Sequence, residues 1–231
     1  MVTEPRPMSR GGKIAYAIGL PLGLIMLVFL PIGRLDWVPG WVFIGFLFVT
    51  YGIAASVLLR VNPAIFRARN RFQPGTQRWD LILLSLMLPA MVIEIPLATL
   101  DAGRLHWSVV SPAIVVLGYA LLGGGIAFGG WAQAVNRFFE PGVRLKRERG
   151  QHVITDDPYR FVRHPGYVSA LMVFVGLALA LASWWALIPA AWASALLIVR
   201  TRWEDALLHA ELAGYADYAR RTRYRLLPGV W

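Results

Sequence analysis

The sequence predicts an all-α, polytopic integral membrane protein with about six transmembrane helices. Three observations carry this reading. Of 231 residues, 57% are hydrophobic and only 16% are charged, against about 25% charged in an ordinary soluble domain. Apolar runs of spanning length recur along the chain, and a bilayer core takes about 20 such residues per helix. The basic residues fall almost entirely in alternate loops.

The first run, Ile14–Gly33, is longer than a signal-peptide core and is followed by no small-x-small cleavage pattern, so it reads as the first span. Trp41–Leu59, Leu81–Leu100 and Val109–Val135 supply the next three. Tyr167–Val199 holds 33 residues without a charge. That is too long for one helix and suits a tight pair turning near Ser183-Trp184-Trp185, each short arm tilting or packing on its neighbours.

Net charge is +10, from 23 Lys and Arg against 13 Asp and Glu. If the chain crosses six times, 21 basic residues fall on one side and two on the other. Cytoplasmic loops are enriched in Lys and Arg, so both termini are expected in the cytoplasm. Orientation and attraction to anionic lipid account for the basic segments, including Arg60–Arg78 with turns at Asn62-Pro63 and Gln73-Pro74-Gly75. Nothing is left for a nucleic acid to explain. The absence of cysteine excludes disulfides, thiolate metal sites and cysteine nucleophiles.

Polar residues gather on the basic side of the second half. Asn136-Arg137-Phe138-Phe139-Glu140 leads to Gln151-His152-Val153-Ile154, then Asp157-Pro158-Tyr159-Arg160 and Arg163-His164-Pro165-Gly166-Tyr167. Beyond the apolar pair come Arg200-Thr201-Arg202-Trp203-Glu204-Asp205, followed by an amphipathic helix with Leu208, Leu212, Tyr215 and Tyr218 at helical spacing. A hairpin returns its ends to one side. His164 and Tyr167 lie three apart and Arg200 and Glu204 four apart, so each pair shares a helix face and the four are expected to converge at the membrane surface. Pro165 suits a first helical turn, whose free N–H groups attract an anion. Glu204 suits a cation, and Tyr159 and Tyr167 offer ring faces to an aromatic group or a sulfonium. S-adenosylmethionine, with a purine, a positive centre and a carboxylate, is one ligand that fits.

The combination Asp157-Pro158-Tyr159-Arg160-x-x-Arg163-His164-Pro165-Gly166-Tyr167, an apolar hairpin, Arg200-x-x-x-Glu204-Asp205-x-x-Leu208, Tyr215-x-x-Tyr218 and Arg225-Leu226-x-Pro228 resembles the isoprenylcysteine carboxyl methyltransferases. These are integral-membrane enzymes with the phospholipid methyltransferases as wider relatives. The likeness covers roughly residues 136–231. The apolar runs put four transmembrane helices in residues 1–135, and the resemblance implies a methyltransferase core over 136–231 and a cytoplasmic pocket for S-adenosylmethionine with a tunnel to the bilayer. By resemblance, cofactor contacts fall on Tyr159, His164, Pro165, Gly166, Tyr167 and Glu204, and on the backbone of Gln151, His152, Val153 and Ile154. Arg200 matches the arginine near the acceptor. Two positions depart from the pattern: Asp157 stands where a glycine is common, and Ser169-Ala170 where a glycine often follows the tyrosine.

The implied reaction displaces a methyl group directly from a sulfonium, so positioning and exclusion of water supply much of the catalysis. A carboxylate acceptor is already ionised and needs no base; Arg200 is expected to grip it bidentately while Glu204 balances the cofactor's charge. The expected acceptor is lipophilic, a prenylcysteine-like acid first, with a lipid amine or small thiol as the alternatives. A dinucleotide-dependent sterol reductase is more remote. A small transporter or non-catalytic membrane protein is the other class, disfavoured because the polar residues lie at one face and not at mid-membrane. No metal is expected, since His152 and His209 lack partners at ligand spacing. Glu94, flanked by Pro89 and Pro96 inside a span, is expected to find a structural partner or reach for the outer interface. The glycines at 123–125, 129 and 130 suggest a close helix contact.

Overall fold

A computed structural model of the chain describes residues 10–68 and 74–231. Arg6, Arg69, Arg71 and Gln73 of the expected basic loops and turn lie outside these residues, as do the side chains of Arg10, Lys13 and Arg67. Among the described residues the fold is all-helical, without strands. The helices are α1 (Arg10–Phe29), α2 (Val38–Val61), the short α3 (Ala64–Ala68), α4 (Arg78–Leu100), α5 (Pro112–Val135), α6 (Pro165–Ala180), α7 (Leu187–Glu211) and α8 (Tyr215–Arg221). Proline in the first two positions opens α2, α5 and α6, where its missing N–H costs nothing and its fixed φ already suits the helix. A π-helical turn, Asp101–Leu105, extends α4.

Among the described residues three helices are both long and apolar enough to cross a membrane: Val38–Val61, Arg78–Leu105 and Pro112–Val135. This is fewer than the six expected. Ala17–Phe29 and α6 are apolar but shorter. In α7 only the first half is apolar, because Arg200, Arg202, Glu204 and Asp205 occupy the second. The expected hairpin is present, with its turn between Leu181 and Ala186. Side chains such as Val49, Ile53, Ile82 and Leu88 stand exposed on α2 and α4, as an outward face in lipid requires.

Two ends of the bundle can be told apart. At one, Arg104 Nη1 donates to Pro31 O at 3.3 Å, and Trp184 packs against the α4–α5 connection through its N–H to Ser108 Oγ (3.0 Å) and its indole N–H to Val109 O (3.2 Å). Asp101, fully buried there, accepts from Ser108 Oγ and Ser183 Oγ, both at 2.5 Å, and from the Ser108 N–H at 2.8 Å. At the other end Asn62 Nδ2 donates to Gln133 O (2.8 Å) and the Gln77 N–H to Val143 O (2.9 Å). Edge-to-face tryptophan pairs mark each end, Trp107–Trp185 at the first and Trp79–Trp203 at the second, the arrangement of interfacial aromatic belts.

The α5–α6 contact sets the backbone spacing at the centre. A Cβ on Gly118 would lie 2.2 Å from Ala180 N, and one on Gly129 would lie 2.3 Å from Ser169 Oγ. Ser169, one of the departures from the family pattern, is accommodated by that second glycine and donates to Gly125 O at 2.7 Å. The glycines therefore serve helix packing, as small residues do in membranes.

Two expectations are corrected. The amphipathic segment is not one helix: α7 ends at Glu211, Gly214 adopts φ +81°, and α8 starts at Tyr215. Leu208, Leu212, Tyr215 and Tyr218 still pack into one cluster with Tyr159 and Ala132. Glu94 neither reaches an interface nor pairs fully; it is 1% exposed, and its Oε1 has no hydrogen-bond partner. The inward face of α4, which also buries Met87, Ala90 and Ala98, carries it into the protein interior.

Candidate active site

The second end of the bundle holds a cavity of about 750 Å³, within the range of about 300–1,000 Å³ usual for small-molecule sites. The residues that the sequence nominated all line it: Gln151, His152, Val153, Ile154, Tyr159, His164, Pro165, Gly166, Tyr167, Arg200 and Glu204. Its other wall is apolar, built by Leu84, Met87 and Met91 of α4 with Ile126 of α5 and Phe174 of α6.

His164 caps α6 and Tyr167 lies in its first turn. Their rings stack, with centroids 5.5 Å apart and planes 5° from parallel. The Tyr167 hydroxyl donates to Glu204 Oε2, and the Arg200 guanidinium lies 5.2 Å from the Tyr167 ring centroid. The hairpin thus brings the two helix faces together, joined at Tyr167.

Arg200 is largely committed within the protein. Its Nε and Nη2 donate to the two oxygens of Asp80 at 2.6 and 3.2 Å, and Nη2 also donates to Pro141 O at 2.7 Å. The bidentate face expected for an acceptor is therefore occupied by Asp80. Asp80 also accepts from the Val143 N–H at 2.7 Å, fastening the long loop to the start of α4. Its 120-residue separation from Arg200 left no signal in the sequence.

Asp205 is the hub of the site. It accepts from Arg163 Nε and Nη2 (2.9 and 3.1 Å), Arg225 Nε (2.7 Å) and Tyr215 OH (2.8 Å), and His164 Nε2 lies 3.3 Å away. Burial works to raise the Asp205 pKa, but the hydrogen bonds from His164, Arg225 and Tyr215 overcome it and hold the carboxyl well below its ordinary range. An acceptor-only carboxylate also makes Nε2–H the fitting tautomer of His164. Arg163 Nη1 reaches the carbonyls of Thr222 and Arg223, both at 3.1 Å. The backbone N–H groups of Arg163 and His164 donate to Tyr224 O and Arg225 O at 2.9 and 3.0 Å. The motif and the C-terminal segment form one unit.

Tyr159 sits in the aromatic cluster below. Its hydroxyl accepts from Asn136 Nδ2 at 2.9 Å, and its carbonyl accepts from Tyr218 OH at 2.7 Å. Burial raises its pKa, with the Asn136 bond opposing, so it remains a neutral phenol. The turn before it keeps the geometry a glycine would give: Asp157 has φ +53°, in the left-handed region that disfavours side chains. Gln151 serves the loop, its Oε1 accepting from the Lys146 N–H at 2.7 Å. His152 is exposed and meets Phe138 edge-on, whereas Val153 and Ile154 pack against the aromatic cluster.

Sequence reasoning passed over Asp80 and Lys146. Lys146 sits among arginines in a basic stretch, and Asp80 stands two residues after Arg78 at the head of an apolar run, where one more charge draws no notice.

No curated protein matches the chain. Residues 113–212 match the family model for phospholipid methyltransferase. That stretch runs from the start of α5 to the end of α7 and supplies most of the cavity lining. The segment that builds most of the cavity is accordingly similar to the phospholipid methyltransferases, over 100 of the chain's 231 residues.

Proposed function

We propose that the protein transfers a methyl group from S-adenosylmethionine to a lipophilic acceptor, first of all a carboxylate of the prenylcysteine kind. The observation that carries this is a single cavity whose charged end holds Glu204 and the His164–Tyr167 pair and whose opposite wall is the apolar surface of α4, α5 and α6. The donor set suits the cofactor: a carboxylate for a cation, aromatic rings beside it, and an apolar wall for a greasy tail. S-adenosylmethionine would supply the methyl group as an electrophilic sulfonium carbon.

Glu204 then balances the positive charge, and Tyr167, donating to it, fixes the carboxylate's orientation. Tyr159, His164, Pro165, Gly166 and the Gln151–Ile154 stretch complete the cofactor wall. Arg200, held by Asp80, still has Nη1 to offer an acceptor oxygen. A carboxylate reacts without a base, and its in-line approach is a matter of positioning. A lipid amine is the second reading, favoured by the description of the matching family. In both, residues 136–231 form the core and 1–135 the membrane scaffold, with α4 and α5 lending one wall. Six crossings, with both termini and the cavity in the cytoplasm, fit the distribution of basic residues; fusions at Arg104 and Ser183 should both report the outer side.

The test uses detergent-purified protein, a methyl-labelled cofactor and a lipid extract. Transfer to a lipid, with label released by mild alkali, identifies a methyl ester; alkali-stable label identifies an amine product. Glu204→Gln should weaken binding of S-adenosylmethionine, which carries the sulfonium charge, by about 1.5–3 kcal/mol, as for a charged hydrogen bond. Failure of the wild-type protein to bind either cofactor form overturns the proposal.

A further inference from the structure

The cationic side chains lining the cavity differ in what they already hold. Arg144 donates to Glu140 and Glu148. Arg163 is spent on Asp205 and the C-terminal carbonyls, Arg200 keeps only Nη1 beyond its bonds to Asp80 and Pro141 O, and His164 faces Asp205. Lys146 is the exception. It is 6% exposed, and its ammonium makes one hydrogen bond, to Arg144 O at 3.2 Å. An ammonium carries three donors, so among the described residues two of them have no acceptor.

The Lys146 backbone, by contrast, is held firmly. Its N–H donates to Gln151 Oε1 at 2.7 Å, and its carbonyl accepts from the N–H groups of Arg149 and Gln151 at 2.9 and 3.3 Å. Gln151 itself begins the stretch expected to line the cofactor. A charge brought out of water in a fixed position, without a paired anion, is costly. Burial lowers the Lys146 pKa, while Glu204 and Glu140, acting across space, raise it.

We infer that Lys146 is an anion-binding residue of this cavity, its two spare N–H donors receiving a carboxylate group of a bound ligand beside Glu204. The inference rests on the methyltransferase reading. Within it, two ligands carry a carboxylate: the amino-acid tail of the cofactor and an acid acceptor. Glu204 and Lys146 supply opposite charges in one cavity, the complement of an amino-acid zwitterion, so the tail is the expected source. No group is transferred at Lys146; its role is to bind and orient.

The test compares binding of S-adenosylhomocysteine and of its decarboxylated analogue to the wild-type protein, Lys146→Gln and Lys146→Arg. If the residue holds the cofactor tail, Lys146→Gln loses on the order of 10–100-fold for S-adenosylhomocysteine. It loses almost nothing for the decarboxylated analogue, and Lys146→Arg recovers part of the difference. If the carboxylate belongs to the acceptor, S-adenosylhomocysteine binding is unchanged and the acceptor KM rises about tenfold with kcat kept, which also supports the assignment. Equal losses for both cofactor analogues, or no change in either binding or KM, overturn it. A wild-type protein that binds neither analogue instead refutes the methyltransferase reading itself.

Discussion

Two buried aspartates sit at opposite ends of the bundle and solve the same problem differently. Asp205 is surrounded by Arg163, Arg225, His164 and Tyr215. Asp101 is satisfied by Ser108 and Ser183 and by a backbone N–H. The first is an ionic hub beside the cavity; the second is a hydroxyl-capped staple that ties the hairpin turn to the connection after α4. The basic residues therefore have a structural part: on their side of the bundle they are built into the site, and on the other side a carboxylate must be stabilised without them.

The comparison breaks most visibly at Asp205. Asp205→Ala leaves the Arg163 guanidinium buried without its counter-ion, a loss of about 3–5 kcal/mol that thermal unfolding in detergent should register along with loss of cofactor binding. Acid should reproduce part of this. A depressed carboxyl pKa contributes stability in full above the unfolded value of about 3.9, and that stability is lost as pH falls from there through the folded value. Unfolding midpoints measured against pH should therefore hold through neutrality and drop below about pH 4, with the drop blunted in Asp205→Asn.

Asp101→Ala should cost less, about 1–3 kcal/mol for unsatisfied buried donors, and should leave S-adenosylhomocysteine affinity unchanged in the same binding assay. If it weakens the cofactor as much as Asp205→Ala does, the two ends are coupled and the contrast fails. The smallest effect is expected at Asp157. With φ at +53°, Asp157→Gly relieves strain in the folded state but frees the unfolded chain. The net gain is expected at no more than about 1 kcal/mol, the order of the left-handed penalty, read as a small rise in the unfolding midpoint.

Much of the cavity was legible because its signals are local. Pro165 after His164 marks a helix start, the uncharged run with a polar midpoint marks a hairpin, and a three- or four-residue spacing marks a shared face. Those rules hold for Tyr167 and Glu204, which meet. They are silent on which distant residue satisfies a given charge. Asp80 takes Arg200 from 120 positions away, and Lys146 is distinguished by a bond it does not make. The split between α7 and α8 escaped for a different reason: apolar periodicity continues across Gly214, so the faces agree although the backbone turns. Glu94 was misplaced because a carboxylate's cost in lipid says nothing about a helix face turned towards protein.

The pairing of the Arg163 and His164 backbone with Tyr224 and Arg225 has a consequence for biosynthesis. The motif emerges first from the ribosome, and both arms of the hairpin must be synthesised before its hydrogen-bonding partners exist. Until then the Arg163 guanidinium and the start of α6 face water or chaperones. Assembly of the cavity is therefore a late event, and a nascent chain halted before Thr222 should be unable to complete it.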